Sequence, residues 1–481
     1  MRTISLALLV AGCNPGEFQD YLDTAPIRVS SAPDRFDGPN FGETITTVSG
    51  QLDGASVSRV VASAGGGSPL AFIRSYGDGK VSESTFLRCK NEIECSDAQD
   101  IGAVMIPFER WGGDTNDARQ LCVFSPANAT RPTAQNETRP GGNGYVACEA
   151  PSNRPQSFTL GPQITDVRDN EGTLRFSGFG LPPEHPLGVV MLGVHSIDSR
   201  TSVPRNGGLY LQPDLQYNEN QRMNIAPFLG LVPLLDPTTG KPFSEAEDAA
   251  DFGAQVAGAA DGNDLTFAIA QPSKRRVIVG SYDDGASGDV ASKFRVHACL
   301  ASDESGFGAK LAVGDLTGDG VPEIVVATKA DKVLVYDGRS LPGPATGDDC
   351  PGWDDDALEV GCDAKQGPSC DSFGSAIAIG DVDADGKGDL IVGGPRASVG
   401  GTSEVGAVWI VPGDGAGLDT DRTVAITVPG DQGAHFGFSV AALRTKDRDE
   451  PVASAPGIGQ VFTLMCTPLE SGFGGDKLCL D

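Results

Sequence analysis

Aromatic residues make up only 6% of this 481-residue chain, methionine occurs 5 times and histidine 4 times, and nowhere do Ala, Leu, Glu and Lys accumulate into long runs. The missing runs exclude a helical bundle. Basic residues are scarce too: 36 Lys and Arg stand against 65 Asp and Glu, for a net charge of −29 at pH 7. Such a surface repels a phosphate backbone, which excludes nucleic acid as a partner. The abundant residues are turn formers, with 64 Gly and 33 Pro. Many short strands joined by turns have this profile, so the all-β class leads. Size alone suggests about three domains. A 39% apolar fraction is ample for a core and excludes disorder. The carboxylate excess has two readings, solubility or grouping around hard cations, and spacing decides between them.

Residues 1–13 read MRTISLALLVAGC, with Arg2 before an apolar run from Ile4 to Val10. That run is far too short to cross a bilayer. A basic start, a short apolar segment and small residues read as a secretory signal. Leu9-Val10-Ala11-Gly12-Cys13 resembles a bacterial lipobox, whose Cys is lipidated and begins the mature protein; an ordinary signal peptide with an incidental Cys is the alternative. Asn14, rather than Asp, follows Cys13. By that resemblance a bacterial outer-membrane lipoprotein is expected, facing the cell surface or the periplasm. Residues 14–25 then form a short tether and 26–481 the folded part.

Ten cysteines remain, an even number in an exported chain, where disulfides persist. Cys89 with Cys95, and Cys466 with Cys479, are spaced as local staples. Cys122 and Cys148 bracket a polar excursion. Cys299, Cys350, Cys362 and Cys370 allow three pairings. With no C-x-x-C and few histidines, zinc is a poor fit.

Internal repetition defines the architecture. Ser372-Phe373-Gly374 opens an apolar strand to Gly380, followed by Asp381-Val-Asp383-Ala-Asp385-Gly386-Lys387-Gly-Asp389, a strand from Leu390, a turn, a strand at Gly406–Gly413 and a fourth at Thr423–Val428. The same grammar appears upstream as Gly306-Phe307-Gly308, Asp315-Leu-Thr317-Gly-Asp319-Gly320-Val321-Pro-Glu323, Ile324–Ala327 and Lys332–Tyr336. These motifs resemble FG-GAP repeats, the blades of integrin α-subunit propellers. Weaker copies place blade starts near Phe41, Ile101, Leu160, Phe252, Phe307, Phe373 and Phe436. The resemblance therefore implies a seven-bladed β-propeller of four-stranded blades, which leaves only short edges. The FG aromatic is expected to fill the wedge between blades, and the Gly to admit close strand approach. Residues of about 196–250 and 338–371 read as insertions.

Asp381, Asp383, Asp385 and Asp389 stand at positions 1, 3, 5 and 9 of a tight loop, with Gly386 at position 6 and the Lys387 carbonyl at position 7. Alternate side chains converge on one point, and Ca²⁺ takes six to eight oxygens in flexible geometry. The loop resembles an EF-hand loop set in a β-hairpin, as in integrin propellers. The second loop offers Asp315, Thr317, Asp319, the Val321 carbonyl and Glu323. About two calcium sites are expected. In the first unit only Asp53 survives at a ligand position, and Arg59 stands where an acid is needed. The acidic turns Asp114/Asp117, Asp261/Asp264 and Asp447/Asp449 have the wrong spacing.

No G-x-S-x-G, H-E-x-x-H or P-loop occurs. The repeats consume the chain, and the clustered carboxylates have calcium spacing, so no catalytic residue is expected. The leading expectation is a calcium-binding, lipid-anchored binding or adhesion module for a protein or glycan. The alternatives are a hydrolase with a cross-blade active site and a structural subunit of an envelope complex. In integrin-like propellers the calcium hairpins lie on one face and partner contacts on the other. By that resemblance residues 205–250 serve binding and are dispensable for folding.

Overall fold

The computed structural model describes residues 251–464 apart from 262–263, 289–292, 330, 342–356, 363–366, 429–431 and 446–447; outside that stretch it describes strands between residues 27 and 231, Leu181, and the short strands Cys466–Pro468 and Lys477–Cys479. Cys13, Cys95 and Cys350 lie outside the described residues.

The second strand of each strict repeat is apolar on both faces. Every residue of Glu323–Ala327 and of Asp389–Gly394 is buried, the pattern of a strand sandwiched between neighbouring sheets rather than half-exposed. Five sheets among the described residues are four-stranded. In chain order the first three are Gly172–Gly180 to Gly230–Leu231, Gln255–Asp261 to Phe294–Ala301, and Lys310–Gly314 to Leu358–Gly361. The next is Ala376–Gly380, Asp389–Gly394, Ala407–Val411 and Val424–Ile426. The last joins Val440–Arg444, Asp449–Ala455 and Gln460–Leu464 to Ile27–Ser31. A six-stranded sheet begins with Phe41–Leu52, and a three-stranded one is Val104–Glu109, Arg119–Ser125 and Tyr145–Glu149. The expected seven four-stranded blades are thus met by five, with one wider and one narrower sheet. The wider sheet recruits Gln156–Phe158 in parallel to Thr85–Cys89, a pairing that crosses over the intervening hairpins and leaves no period-two signature of its own.

First strands contact one another in chain order: 41–52, 104–109, 172–180, 255–261, 310–314, 376–380, 440–444 and back to 41–52. Sheets set side by side around their first strands form a β-propeller. The ring is clasped by the N-terminal strand, whose Ile27–Ser31 pairs antiparallel with Leu464–Gln460 as the outermost strand of the last sheet. The first strands also meet through Thr47 Oγ1, which donates to the Ala442 carbonyl at 2.6 Å. Two of the expected insertions prove to supply strands. Pro204–Gln212 and Gly230–Leu231 complete the sheet that starts at Gly172, and Leu358–Gly361 completes the one that starts at Lys310. Residues 205–250 are therefore no detachable appendage. The third inner strand begins at Gly172, well beyond the Leu160 start, because no FG dipeptide marks it.

The core is divided among sheet interfaces. One cluster joins Ala268, Val277 and Val279 of one sheet to Phe307, Ile324 and Tyr336 of the next. Phe373 sits likewise between Val325, Val333 and Val335 on one side and Leu390, Val392 and Trp409 on the other. Three of the FG aromatics meet a third-strand ring edge-on, Phe307 with Tyr336 at 6.4 Å, Phe373 with Trp409 at 5.2 Å and Phe436 with Phe462 at 5.2 Å between centroids. Burial of one such ring contributes about 1.5–3 kcal/mol.

The residue before four of the FG phenylalanines is left-handed: φ is +50° at Asp251, +71° at Gly306, +64° at Ser372 and +58° at His435. Four unlike residue types share this conformation, so it has no sequence signature. Polar side chains make it tolerable by local hydrogen bonding: Asp251 accepts from Ser273 N at 2.9 Å and Ser273 Oγ at 2.6 Å, and Ser372 Oγ accepts from Arg396 N at 2.9 Å.

The FG glycines are fixed by space as well as by φ. A Cβ on Gly437, where φ is +85°, would lie 2.4 Å from the Ala407 carbonyl oxygen, whereas one on Gly400, with φ +57°, would meet nothing within 4 Å. Gly437→Ala is expected to destabilise the protein by about 2–3 kcal/mol and Gly400→Ala by about 1 kcal/mol; thermal melts of the two variants side by side measure the difference.

Candidate metal centre

Both strict carboxylate loops join a first strand to a second strand and are wound the same way. Positions 4 and 6 are left-handed in each: Gly318 and Gly320 at +76° and +83°, Ala384 and Gly386 at +62° and +86°. Position 2 is a buried anchor, Leu316 or Val382. Position 9 is a buried acid that accepts from the backbone N–H of position 2: Glu323 Oε2 from Leu316 at 2.6 Å and Asp389 Oδ2 from Val382 at 2.7 Å. The loop is thus closed by its last carboxylate before any ion is considered.

The loops differ in charge. Asp381, Asp383 and Asp385 bring one carboxylate oxygen each within 4.8 Å of one another, the only such group among the described residues. Their remaining acceptors organise the turn: Asp381 Oδ1 accepts from Asp385 N at 3.0 Å, Asp381 Oδ2 from Gly386 N at 3.1 Å, and Asp385 Oδ1 from Lys387 N at 2.9 Å. Two cations stand against these charges, the Lys387 ammonium on Asp385 and, at longer range, the Arg422 guanidinium acting on Asp383. Burial and the neighbouring Asp385 charge hold the Asp381 and Asp383 carboxyls above their ordinary value. A hard divalent cation relieves that repulsion, and three converging carboxylates are its donor type. This loop fits a calcium ion.

Asp389 takes a different part. It is 1% exposed, and its second oxygen, Oδ1, accepts from Gly413 N at 2.9 Å. Burial, then the Asp383 charge, pushes its carboxyl up to about 7. Asp389 thus braces the loop through two backbone N–H groups, beside the group formed by Asp381, Asp383 and Asp385.

In the other loop Asp315 is wrapped by backbone donors, with Gly318 N and Gly320 N at 2.7 Å on its two oxygens. Thr317 stands where the first loop has a carboxylate, and its hydroxyl donates to Asp315 at 3.3 Å. Asp319 accepts from Val321 N at 2.7 Å and pairs with the Arg339 guanidinium. No group of three metal-ligating side chains forms here among the described residues. One observation favours a cation: Glu323 is 2% exposed, and its Oε1 has no hydrogen-bond partner. Burial, then the charges of Asp315 and Asp337, raise its carboxyl.

Spacing alone missed Asp449. It lies in the next sheet, accepts from Asp381 N at 3.1 Å through Oδ2, and donates its own N–H to the Asp381 carbonyl at 2.7 Å. Gly388 N donates in the same way to the Asp315 carbonyl at 2.8 Å. Each carboxylate loop is thus stitched to its neighbour in the ring.

Of the expected disulfides, Cys362–Cys370 is formed, with Cα atoms 5.6 Å apart. Cys299 is disulfide-bonded as well; within its set of four, Cys350 is the member left over. Cys122 faces Cys148 across one strand pair and Cys466 faces Cys479 across another. Cys89 ends an outer strand.

Without metal, Asp389 makes stability fall as pH rises. Its carboxyl is raised from 3.8 to about 7, so folding favours the protonated form, and the stabilisation present below about 4 is lost on the way to 7. In chelator, the melting temperature is expected to drop between pH 5 and 7.5. Asp389→Asn is expected to flatten that slope while lowering stability by about 1–3 kcal/mol, because its amide NH₂ then faces a backbone N–H; melts across pH test both.

The FG-GAP repeat family matches residues 307–340 and 373–411, the two stretches that hold the strict loops. No curated protein matches the chain. Among solved structures, the crystal structure of BBS1N in complex with ARL6DN, soaked with lead, is similar over 93% of this chain and 99% of that chain, at 10% identity and a TM-score of 0.45. The chain therefore carries FG-GAP repeats within an all-β propeller.

Proposed function

We propose that this chain is a calcium-stabilised binding module: a propeller of seven blades, lipid-anchored through Cys13 in a bacterial outer membrane, that recognises a protein or glycan and performs no catalysis. The observation that carries the reading is the convergence of Asp381, Asp383 and Asp385 on one hairpin. FG-GAP repeats commonly bind calcium. With Lys387 beside one loop and Arg339 beside the other, both loops keep an excess of negative charge, and the loop of Asp381, Asp383 and Asp385 keeps one carboxylate more because Thr317 stands in place of an acid in the other. Asp381, Asp383, Asp385 and Asp389, with the Lys387 carbonyl, are the proposed main site; Asp315, Thr317, Asp319, the Val321 carbonyl and Glu323 form a weaker one. Bound calcium would supply no reaction chemistry. It would stiffen loops that are hydrogen-bonded to the neighbouring sheets through Gly388 and Asp449. A rigid ring leaves the loops on the opposite face, before each FG pair, free for recognition.

Extracellular-type sites bind calcium at about 10⁻⁴–10⁻³ M. At about 1 mM Ca²⁺ such a site adds roughly 0.4–1.4 kcal/mol. Chelation is expected to lower the melting temperature by a few degrees, and Asp385→Ala to remove most of that response while Thr317→Ala removes little. A melting temperature indifferent to calcium would refute the structural role of the metal. Capture of a partner from envelope extracts tests the binding role, and hydrolysis of an ester or glycan abolished by one Ser or His substitution would replace it with an enzyme.

A further inference from the structure

In a chain with so large an acidic excess, every cation has carboxylates to spare. Lys293 pairs with Asp284, Lys332 with Glu304 and Glu359, Arg396 with Glu404, and Arg422 with Asp419. Lys310 and Lys329 are the exceptions, the two basic residues with described side chains that make no ion pair or side-chain hydrogen bond. Both line the same groove, a concavity of about 670 Å³ that also takes in Ser375, Ser398, Ser403 and Arg396. That size suits a bound segment or small ligand.

The groove lies where the two strict repeats meet, on the face opposite the carboxylate hairpins. One wall is the end of strand Glu323–Ala327 and the turn after it; the other is the segment leading into Phe373 with the turn at 396–404. The second wall is built rigidly. The Cys362–Cys370 disulfide ties it, Ser369 N donates to the Ser398 carbonyl at 2.9 Å, and Ser398 N donates to Ser369 Oγ at 2.8 Å. The walls are joined by Ser372 N, which donates to Asp331 Oδ1 at 2.9 Å.

The acids that line the groove are already engaged. Asp331 accepts from Ser372, Asp371 accepts from Ser369 Oγ at 2.7 Å, and Glu404 accepts from Arg396 Nε at 3.3 Å. The lysines are not, and Lys310 stands exposed in a concavity where surrounding protein replaces much of its water and holds its ammonium below the ordinary range. Asp331 and Asp371 accept from uncharged donors and so keep their charge, but neither reaches Lys310 or Lys329, and a partner in contact is what the two lysines lack. A phosphate-rich polymer would meet the repulsion of the whole surface, whereas one or two carboxylates feel mainly the charges within a Debye length of about 8 Å. No exposed ring lines the groove for a sugar to stack on, since Phe373 is 1% exposed. The exposed Ser375 and Ser403 suit peptide amides.

Resting on the binding-module reading, we propose that this groove is its recognition site and takes an acidic peptide segment of a partner protein, whose carboxylates are held by Lys310 and Lys329.

The test uses the full chain in calcium and a fluorescent peptide of alternating Glu and Gly, followed by anisotropy. Binding is expected for this peptide and not for its Gln counterpart. The double variant K310Q/K329Q is expected to weaken it by about tenfold or more, with the melting temperature and calcium response unchanged; K274Q, at a turn of another sheet, is expected to bind as the parent does. Peptide binding that survives K310Q/K329Q overturns the proposal, as does equal binding of the Gln peptide. So does binding of an oligogalacturonate in place of the peptide, which would make the ligand a glycan. Capture of an envelope partner that persists in K310Q/K329Q would sink the groove assignment alone and leave the binding module standing. Turnover of an ester or glycan would sink the broader reading.

Discussion

No sheet of this protein has a hydrophobic core of its own, and the rest of the structure depends on that constraint. A four-stranded sheet with both faces apolar is stable only between two others. The last sheet in the sequence must therefore find the first, which makes the short strand Ile27–Ser31 on Gln460–Leu464 a condition of closure rather than an ornament. The FG dipeptide solves the same problem locally. Its aromatic fills the divergent wedge between two flat faces, meeting a third-strand ring edge-on, and its glycine lets the backbone of one sheet lie almost on that of the next: a Cβ at Gly393 would be 2.1 Å from the Gly437 carbonyl oxygen.

The carboxylate loops belong to the same logic, on the other face. Hairpins that project from the inner strands would be the weakest part of the ring, with many exposed backbone donors and little apolar cover. Here the donors are satisfied by side chains of the loop itself, and the loop backbone is hydrogen-bonded to the loop in the next sheet. Burying and concentrating acceptors in this way carries a penalty, desolvation first and repulsion between carboxylates second, visible in the raised carboxyls of Asp381, Asp383 and Asp389. The two loops relieve it differently. One replaces a carboxylate by Thr317 and borrows Arg339; the other keeps all its acids.

How much of this was legible in the sequence follows from which constraints are local. FG pairs, alternate-position acids and all-apolar second strands each report a requirement set within a few residues, and the two strict repeats could be read strand by strand. The third sheet lacks an FG start, so its inner strand at Gly172 was placed too early. Residues 204–212 and 230–231 looked like an insertion because their partners are set by tertiary pairing rather than by periodicity. The bracing hydrogen bonds of Asp389 and Glu323 were not legible, because spacing gives the position of a side chain but not its burial. Asp449 was set aside for wrong spacing, although its role is to hold the backbone of a loop in the preceding sheet, which no spacing rule within one loop reports.

The two faces of the ring thus carry different kinds of order. On the hairpin face the loops spend their polar groups on each other and on their neighbours, which favours stiffness over recognition. On the opposite face the residue before Phe252, Phe307, Phe373 and Phe436 is left-handed, and its type varies among Asp, Gly, Ser and His while the backbone conformation stays the same. Variation at fixed backbone is what a binding surface needs. Between Phe307 and Phe373 two lysines make no ion pair, although Asp331, Asp371 and Glu404 line the same groove and acids outnumber bases 65 to 36 in the chain. A protein of this composition has no difficulty finding a carboxylate to neutralise a lysine, so two that stay unpaired in one rigid groove point to an anion that arrives from outside the chain.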